Sequence, residues 1–143
     1  MTGFWRQWMV AWRLSVAGFG LILAGGAFEA TSGPVRMIFG LVGEALPLEM
    51  PATLRFSIAL IGAVTLGWWL TLEAAFKAID LLGEQAGPVW RGLTVSVVGW
   101  YLIDGALSAA TGFALNIVPN SGLLAGYLIP VLATGVLRKG PAG

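Results

Sequence analysis

Asp104 is the residue best placed to do chemistry, because its acidic side chain interrupts a long apolar run from Gly92 to Val118. An ionised carboxylate near the middle of a bilayer costs several kcal/mol and is expected to face a protein interior or water. Ser108, Gly112, Asn116 and Asn120 follow at successive steps of four. Residues four apart share one helix face, so the spacing predicts a polar, small-residue stripe down half a helix. Two roles fit such a stripe. It can wall a hydrated path for a proton or ion, with Asp104 as the coupling group. It can instead hold helices together by hydrogen bonds, which average below about 1 kcal/mol each in membranes. Arg55 is the candidate ion-pair partner. If the second and third apolar runs form an antiparallel hairpin turning near Leu82 to Glu84, Arg55 lies level with residues 109–112. Its side chain then reaches Ser108, Asn116 or Asp104. Its alternative is to snorkel to headgroups, which is the role expected of Arg13.

Other chemistry is scarce. Histidine and cysteine are both absent. That removes the usual neutral-pH base, the commonest metal ligand and the thiolate nucleophile. No catalytic residue, metal site or resident cofactor is expected, and the chain is read as a non-enzyme. The glycines follow no strand–turn–helix phosphate-loop pattern. A net charge of +1 offers no field for nucleic acid.

The elements that must position these residues follow from composition. The chain has 143 residues, 57% hydrophobic and 10% charged, with a mean hydropathy of +0.85. Soluble domains carry about 25% charged residues, so the bilayer must supply most of the solvent here. Backbone groups in lipid must pair internally, which leaves helices as the open-chain solution. The expected fold is an all-α integral membrane protein, one domain over residues 1–143. Its apolar runs are Trp8–Phe28, Ala52–Leu72, Gly92–Val118 and Ser121–Leu137, each close to the roughly 17–25 residues that cross a bilayer. They predict four transmembrane helices in an up-down bundle.

Punctuation refines the boundaries. Pro51 and Pro88 suit the first turns of the second and third helices. Pro119 is expected to end the third, Asn120 and Ser121 to cap the fourth, and Pro130 to kink it. Val35 to Leu46, between Pro34 and Pro47, is too short to cross. With Arg36, Gly40 and Glu44 on one face, it reads as a short interfacial helix between helices one and two. Beyond Leu72 the second helix continues as an amphipathic extension. Glu73, Lys77, Asp80 and Glu84 form its polar face, Phe76, Ile79 and Leu82 its apolar one, and Gly83 is its stop.

Orientation follows from the basic residues. With both termini inside, Arg6, Arg13, Lys77, Arg91, Arg138 and Lys139 lie on the cytoplasmic side, and only Arg36 and Arg55 outside. That bias predicts an N-in, C-in topology. Trp5, Trp8, Trp12, Trp68, Trp69 and Trp90 then form an aromatic belt at the cytoplasmic boundary. Small residues at Ala59, Ala63 and Gly67, and at Gly122 and Gly126, predict close helix contacts.

The run Leu54-Arg55-Phe56, then Gly67-Trp68, then Trp100 through Asp104 to Asn116 and Asn120, resembles small four-helix bacterial membrane proteins of the DoxX-like kind. The resemblance covers helices two to four, about half the chain, and carries over no catalytic residue. Some DoxX-like proteins are thought to be accessory subunits of membrane redox complexes, so it implies a partner-binding role. The expected function is therefore a non-catalytic accessory or structural subunit of a larger complex in the bacterial inner membrane. Its partners would be membrane lipid and other transmembrane proteins or further copies of itself, with lipid or a quinone-like molecule as the ligand class. The competing expectation is a small homo-oligomeric proton-coupled transporter or channel that uses Asp104.

Overall fold

The computed structural model describes residues 3–138, and these contain helices and turns but no strand. Lys139, counted above among the inner basic residues, lies outside them. The helices are α1 (Gly3–Gly25), α2 (Gly33–Val42), α3 (Ala52–Leu82), α4 (Gly87–Ala110) and α5 (Ile117–Thr134). The stretches Gly3–Gly25, Ala52–Ala110 and Ala114–Thr134 are long and apolar enough to cross a membrane. This is the profile of a membrane protein, and the exposure of Val64, Leu70, Val95 and Leu102 on the outer surface agrees with it.

The second stretch is not straight. At 1.5 Å per residue, 59 residues would reach roughly 88 Å. The chain reverses instead through a 3-10 turn at Gly83–Ala86. Gly83 adopts φ +56, so the amphipathic extension of α3 stops where the sequence indicates. Pro88 sits in the first turn of α4, also as expected. The two helices then pack antiparallel: Phe76 meets Trp90 with ring centroids 5.4 Å apart, and Trp68 meets Trp100, also at 5.4 Å.

α1 runs antiparallel to α3. Arg6 pairs with Asp80, Arg13 with Glu73, Gly20 with Leu66, and Gly26 with Ile58. One index rises as the other falls, so the register is continuous along the seam. At Gly62 the backbones nearly touch. A Cβ there would collide with the backbone of Ala24 and lie 2.8 Å from the Leu23 carbonyl carbon, so only glycine fits. The buried row on α3 is Ile58, Gly62, Leu72 and Phe76. The row predicted to pack, Ala59, Ala63 and Gly67, is the neighbouring one. Ala63 and Gly67 are exposed, and nothing lies within 4 Å of a Cβ built on Gly67.

α5 completes the packing. Trp12 stacks on Tyr127 with centroids 5.2 Å apart. Met9, Val16, Val97 and Val131 close around them in the larger core. A smaller core of Leu23, Val35, Met50 and Ile58 lies at the other end. There α2 is apolar and short, as expected. Arg36 fastens it by donating to Ser32 Oγ (3.0 Å), Glu29 Oε1 (2.6 Å) and the carbonyls of Pro47 and Leu48.

Candidate intramembrane polar site

The polar stripe exists, but not on one helix. α4 ends at Ala110, and Thr111 and Gly112 turn the chain. Gly112 adopts φ +87, a left-handed conformation that side chains with a Cβ resist. A single 3-10 turn follows at Ala114–Asn116, and α5 starts at Ile117. The expected end of the helix at Pro119 is therefore eight residues too late. Pro119 is instead the third residue of α5, where its missing N–H costs nothing. Asn120 lies within that helix rather than capping it.

The reversal brings Asn116 and Asn120 back over Asp104 and Ser108. Asn116 Nδ2 donates to Asp104 Oδ1 (3.0 Å) and to Ser108 Oγ (3.0 Å). Asn120 Nδ2 also donates to Asp104 Oδ1, and so does the Ser108 hydroxyl at 3.3 Å. Three neutral donors thus converge on one carboxylate oxygen. Such charge-assisted bonds are stronger than neutral ones and offset the desolvation of a half-buried carboxylate. Two more rungs continue the seam between α4 and α5: Tyr101 Oη with Ser121 Oγ (2.9 Å), and Thr94 Oγ1 with Tyr127 Oη (3.0 Å). These two rungs escaped the sequence reading, which lacked the register of the hairpin.

Two placements are corrected. Asp104 is not at mid-span. It lies six positions before the last residue of α4, about 9 Å along the axis. Arg55 is not its partner. The ion pairs among the described residues are Arg6–Asp80, Arg13–Glu73 and Arg36–Glu29, and Arg55 is half-buried near the start of α3. Gly112 supplies the turn rather than a wall of the stripe.

Arg13 does not snorkel. Its side chain is 12% exposed, its Nε lies 3.0 Å from Glu73 Oε1, and its guanidinium carbon stands 4.1 Å over the Phe76 ring. Opposite charges at matched depth on antiparallel helices were the available signal for this pair. Two of the tryptophans tie α1 to α5. Trp8 Nε1 donates to the Gly126 carbonyl and Trp12 Nε1 to the Leu123 carbonyl, both at 2.8 Å. Pro130 has no N–H to give the carbonyl four residues back, and that carbonyl belongs to Gly126. Trp8 supplies the missing donor. Gly126 also admits the Trp12 ring, whose Cδ1 lies 3.2 Å from a Cβ built there, whereas Gly122 faces open space. Trp5 packs edge-on against Phe4 and Trp8, and Trp69 Nε1 is buried with no hydrogen-bond partner among the described residues.

In chemical terms the site is a carboxylate held by two carboxamides and a hydroxyl. Among the described residues no group of three or more Asp, Glu, His or Cys side chains could hold a metal. Comparison finds no protein family, no curated protein and no solved structure that matches the chain.

Proposed function

We propose that the chain is a non-catalytic accessory subunit of the bacterial inner membrane. In this reading α1, α3, α4 and α5 each cross once, in an up-down bundle with both termini in the cytoplasm and α2 in the outer interface. The partners are other transmembrane helices and membrane lipid. The resemblance to DoxX-like proteins belongs to the same reading.

The observation that carries it is the pair of glycines on the outer surface. Gly67 on α3 and Gly122 on α5 are exposed, and each leaves open space where a side chain would stand. Small residues in spans let another helix approach closely, and none of the described residues uses these two notches. Asp104 supports the same reading, because its bonds to Ser108, Asn116 and Asn120 tie α4 to α5. The transporter reading draws on the other carboxylate oxygen, since all these bonds converge on Oδ1 and a proton would go to Oδ2.

Purification from native membranes in mild detergent tests the proposal. A stoichiometric partner is expected, and Gly67→Leu with Gly122→Leu should release it without lowering the melting temperature of the chain. Purification as a lone species, with proton flux in liposomes that Asp104→Asn abolishes, would replace the subunit reading with the transporter.

A further inference from the structure

At the end of the bundle where α1 begins, a cavity of about 350 Å³ opens between α1, the last turns of α3 and the start of α4. Its size falls within the roughly 300–1,000 Å³ of small-molecule sites. Its lining carries both signs of charge: Arg6 and Arg13 on α1, Asp80 on α3 and Glu84 in the turn. We infer that this cavity binds the headgroup of a zwitterionic phospholipid with a primary ammonium, its phosphate on Arg13 and Arg6 and its ammonium on Asp80 and Glu84.

Arg13 gives the first argument. Its Nε is buried and has no hydrogen-bond partner among the described residues. Glu73 Oε1 lies 3.0 Å away, close enough to balance the charge but out of line for a hydrogen bond. A guanidinium carries five N–H donors and no acceptor, so the Nη groups of Arg13, which lines the cavity with Arg6, can serve an acceptor oxygen there. Phosphate oxygens match the planar guanidinium fork. The second argument is charge balance. Glu73 already neutralises Arg13 and Asp80 pairs with Arg6, so Glu84 leaves the cavity one net negative charge. A bare anion would therefore be repelled, and the ligand must bring its own cation. The third is position. Trp5 and Trp8 lie on the end of α1 that borders the cavity. Tryptophan collects at the level of lipid headgroups. Arg6 and Asp80, both in the lining, pair at 3.2 Å, but both side chains are more than 60% exposed. Such surface pairs are weak and open readily.

The site rests on the membrane reading and not on the subunit one. A chain without any partner still discriminates headgroups, and a partnered chain that fails to discriminate loses only this site. The full chain, purified in detergent, is titrated with phosphatidylethanolamine, phosphatidylcholine or phosphatidylglycerol of identical acyl chains, and bound lipid is read by native mass spectrometry. Phosphatidylethanolamine is expected to bind about tenfold tighter than either, because only it both donates to carboxylates and balances them. Asp80→Asn with Glu84→Gln, both exposed positions, should erase the preference over phosphatidylglycerol. Arg13→Gln should lose phospholipid binding. If that variant does not fold, the exposed Arg6→Gln should show a smaller loss. Equal binding of the three lipids, or an unchanged preference in the Asp80/Glu84 variant, overturns the proposal. Displacement of the lipid by equimolar soluble phosphoethanolamine overturns it too, by assigning the site to a free small molecule.

Discussion

Replacing Trp8 by Phe tests whether a tryptophan on the first helix substitutes for the N–H that Pro130 lacks on the last. The indole donates to Gly126 O at 2.8 Å, and an unsatisfied buried carbonyl costs about 1–3 kcal/mol. Trp8 is 41% exposed, so water or a headgroup can partly take its place. Interhelical hydrogen bonds in membranes average about 0.6 kcal/mol and reach about 1.7. A loss of about 1 kcal/mol is therefore expected. In a Pro130→Ala background the new Ala N–H reaches Gly126 O, and the indole becomes a surplus donor. The cost of Trp8→Phe should then fall by most of that amount, a coupling of about 1 kcal/mol where independent sites add to within about 0.3–0.5. Trp12→Phe is the control, because its acceptor, Leu123 O, is the one an unbroken helix serves from the N–H of residue 127. Reversible unfolding of the four cycle members in mixed micelles provides the measurement. Equal costs of Trp8→Phe in the two backgrounds would refute the reasoning.

Three further outcomes are expected. Gly62→Ala should destabilise the chain by about 1–3 kcal/mol through overpacking against the Ala24 backbone, while Gly67→Ala should leave the thermal melt unchanged; a mild Gly62→Ala would argue against the α1–α3 register. Asp104→Asn should cost about 1–3 kcal/mol because it weakens charged hydrogen bonds, Arg55→Gln should cost little, and the double variant should show no recovery in chemical unfolding. Recovery there would restore the ion pair that the geometry lacks. A single cysteine at Leu48 should react with an impermeant thiol reagent in intact cells and one at Gln85 should stay protected, and the reverse pattern would invert the orientation.

The helices were legible where composition and punctuation agree. The reversal at Gly83, the long amphipathic end of α3 and the short α2 all follow from patterns within one segment. The reversal at Gly112 was hidden by its own symmetry. Residues spaced by four from 104 to 120 line one face of a continuous helix, yet they also face each other across a hairpin folded at 112. Periodicity is satisfied either way, and Pro119 suggested the wrong boundary because a first-turn proline and a post-helical proline look alike in sequence. Asp104, Ser108, Asn116 and Asn120 thus do meet, gathered by a different geometry. The packing face of α3 was missed by one position, because Gly62 is a single glycine among the large residues Ile58, Leu72 and Phe76, whereas the row through Gly67 is small throughout. Arg55 was paired by depth alone, whereas the donors that reach Asp104 are supplied by the adjoining turn.

The bonds from Trp8 and Trp12 to α5 join residues 118 and 111 positions apart. α1 leaves the ribosome before α5 and therefore waits for it before its indoles find their acceptors. Contacts of such long sequence separation form late and slowly. Until α5 arrives, α1 can settle against α3 through its glycine seam, but its tryptophans remain open to other chains in the membrane. A nascent or truncated chain without α5 is then a different object, with the indoles of Trp8 and Trp12 left without these acceptors. Emergence of α5 is itself the event that gives these indoles their acceptors.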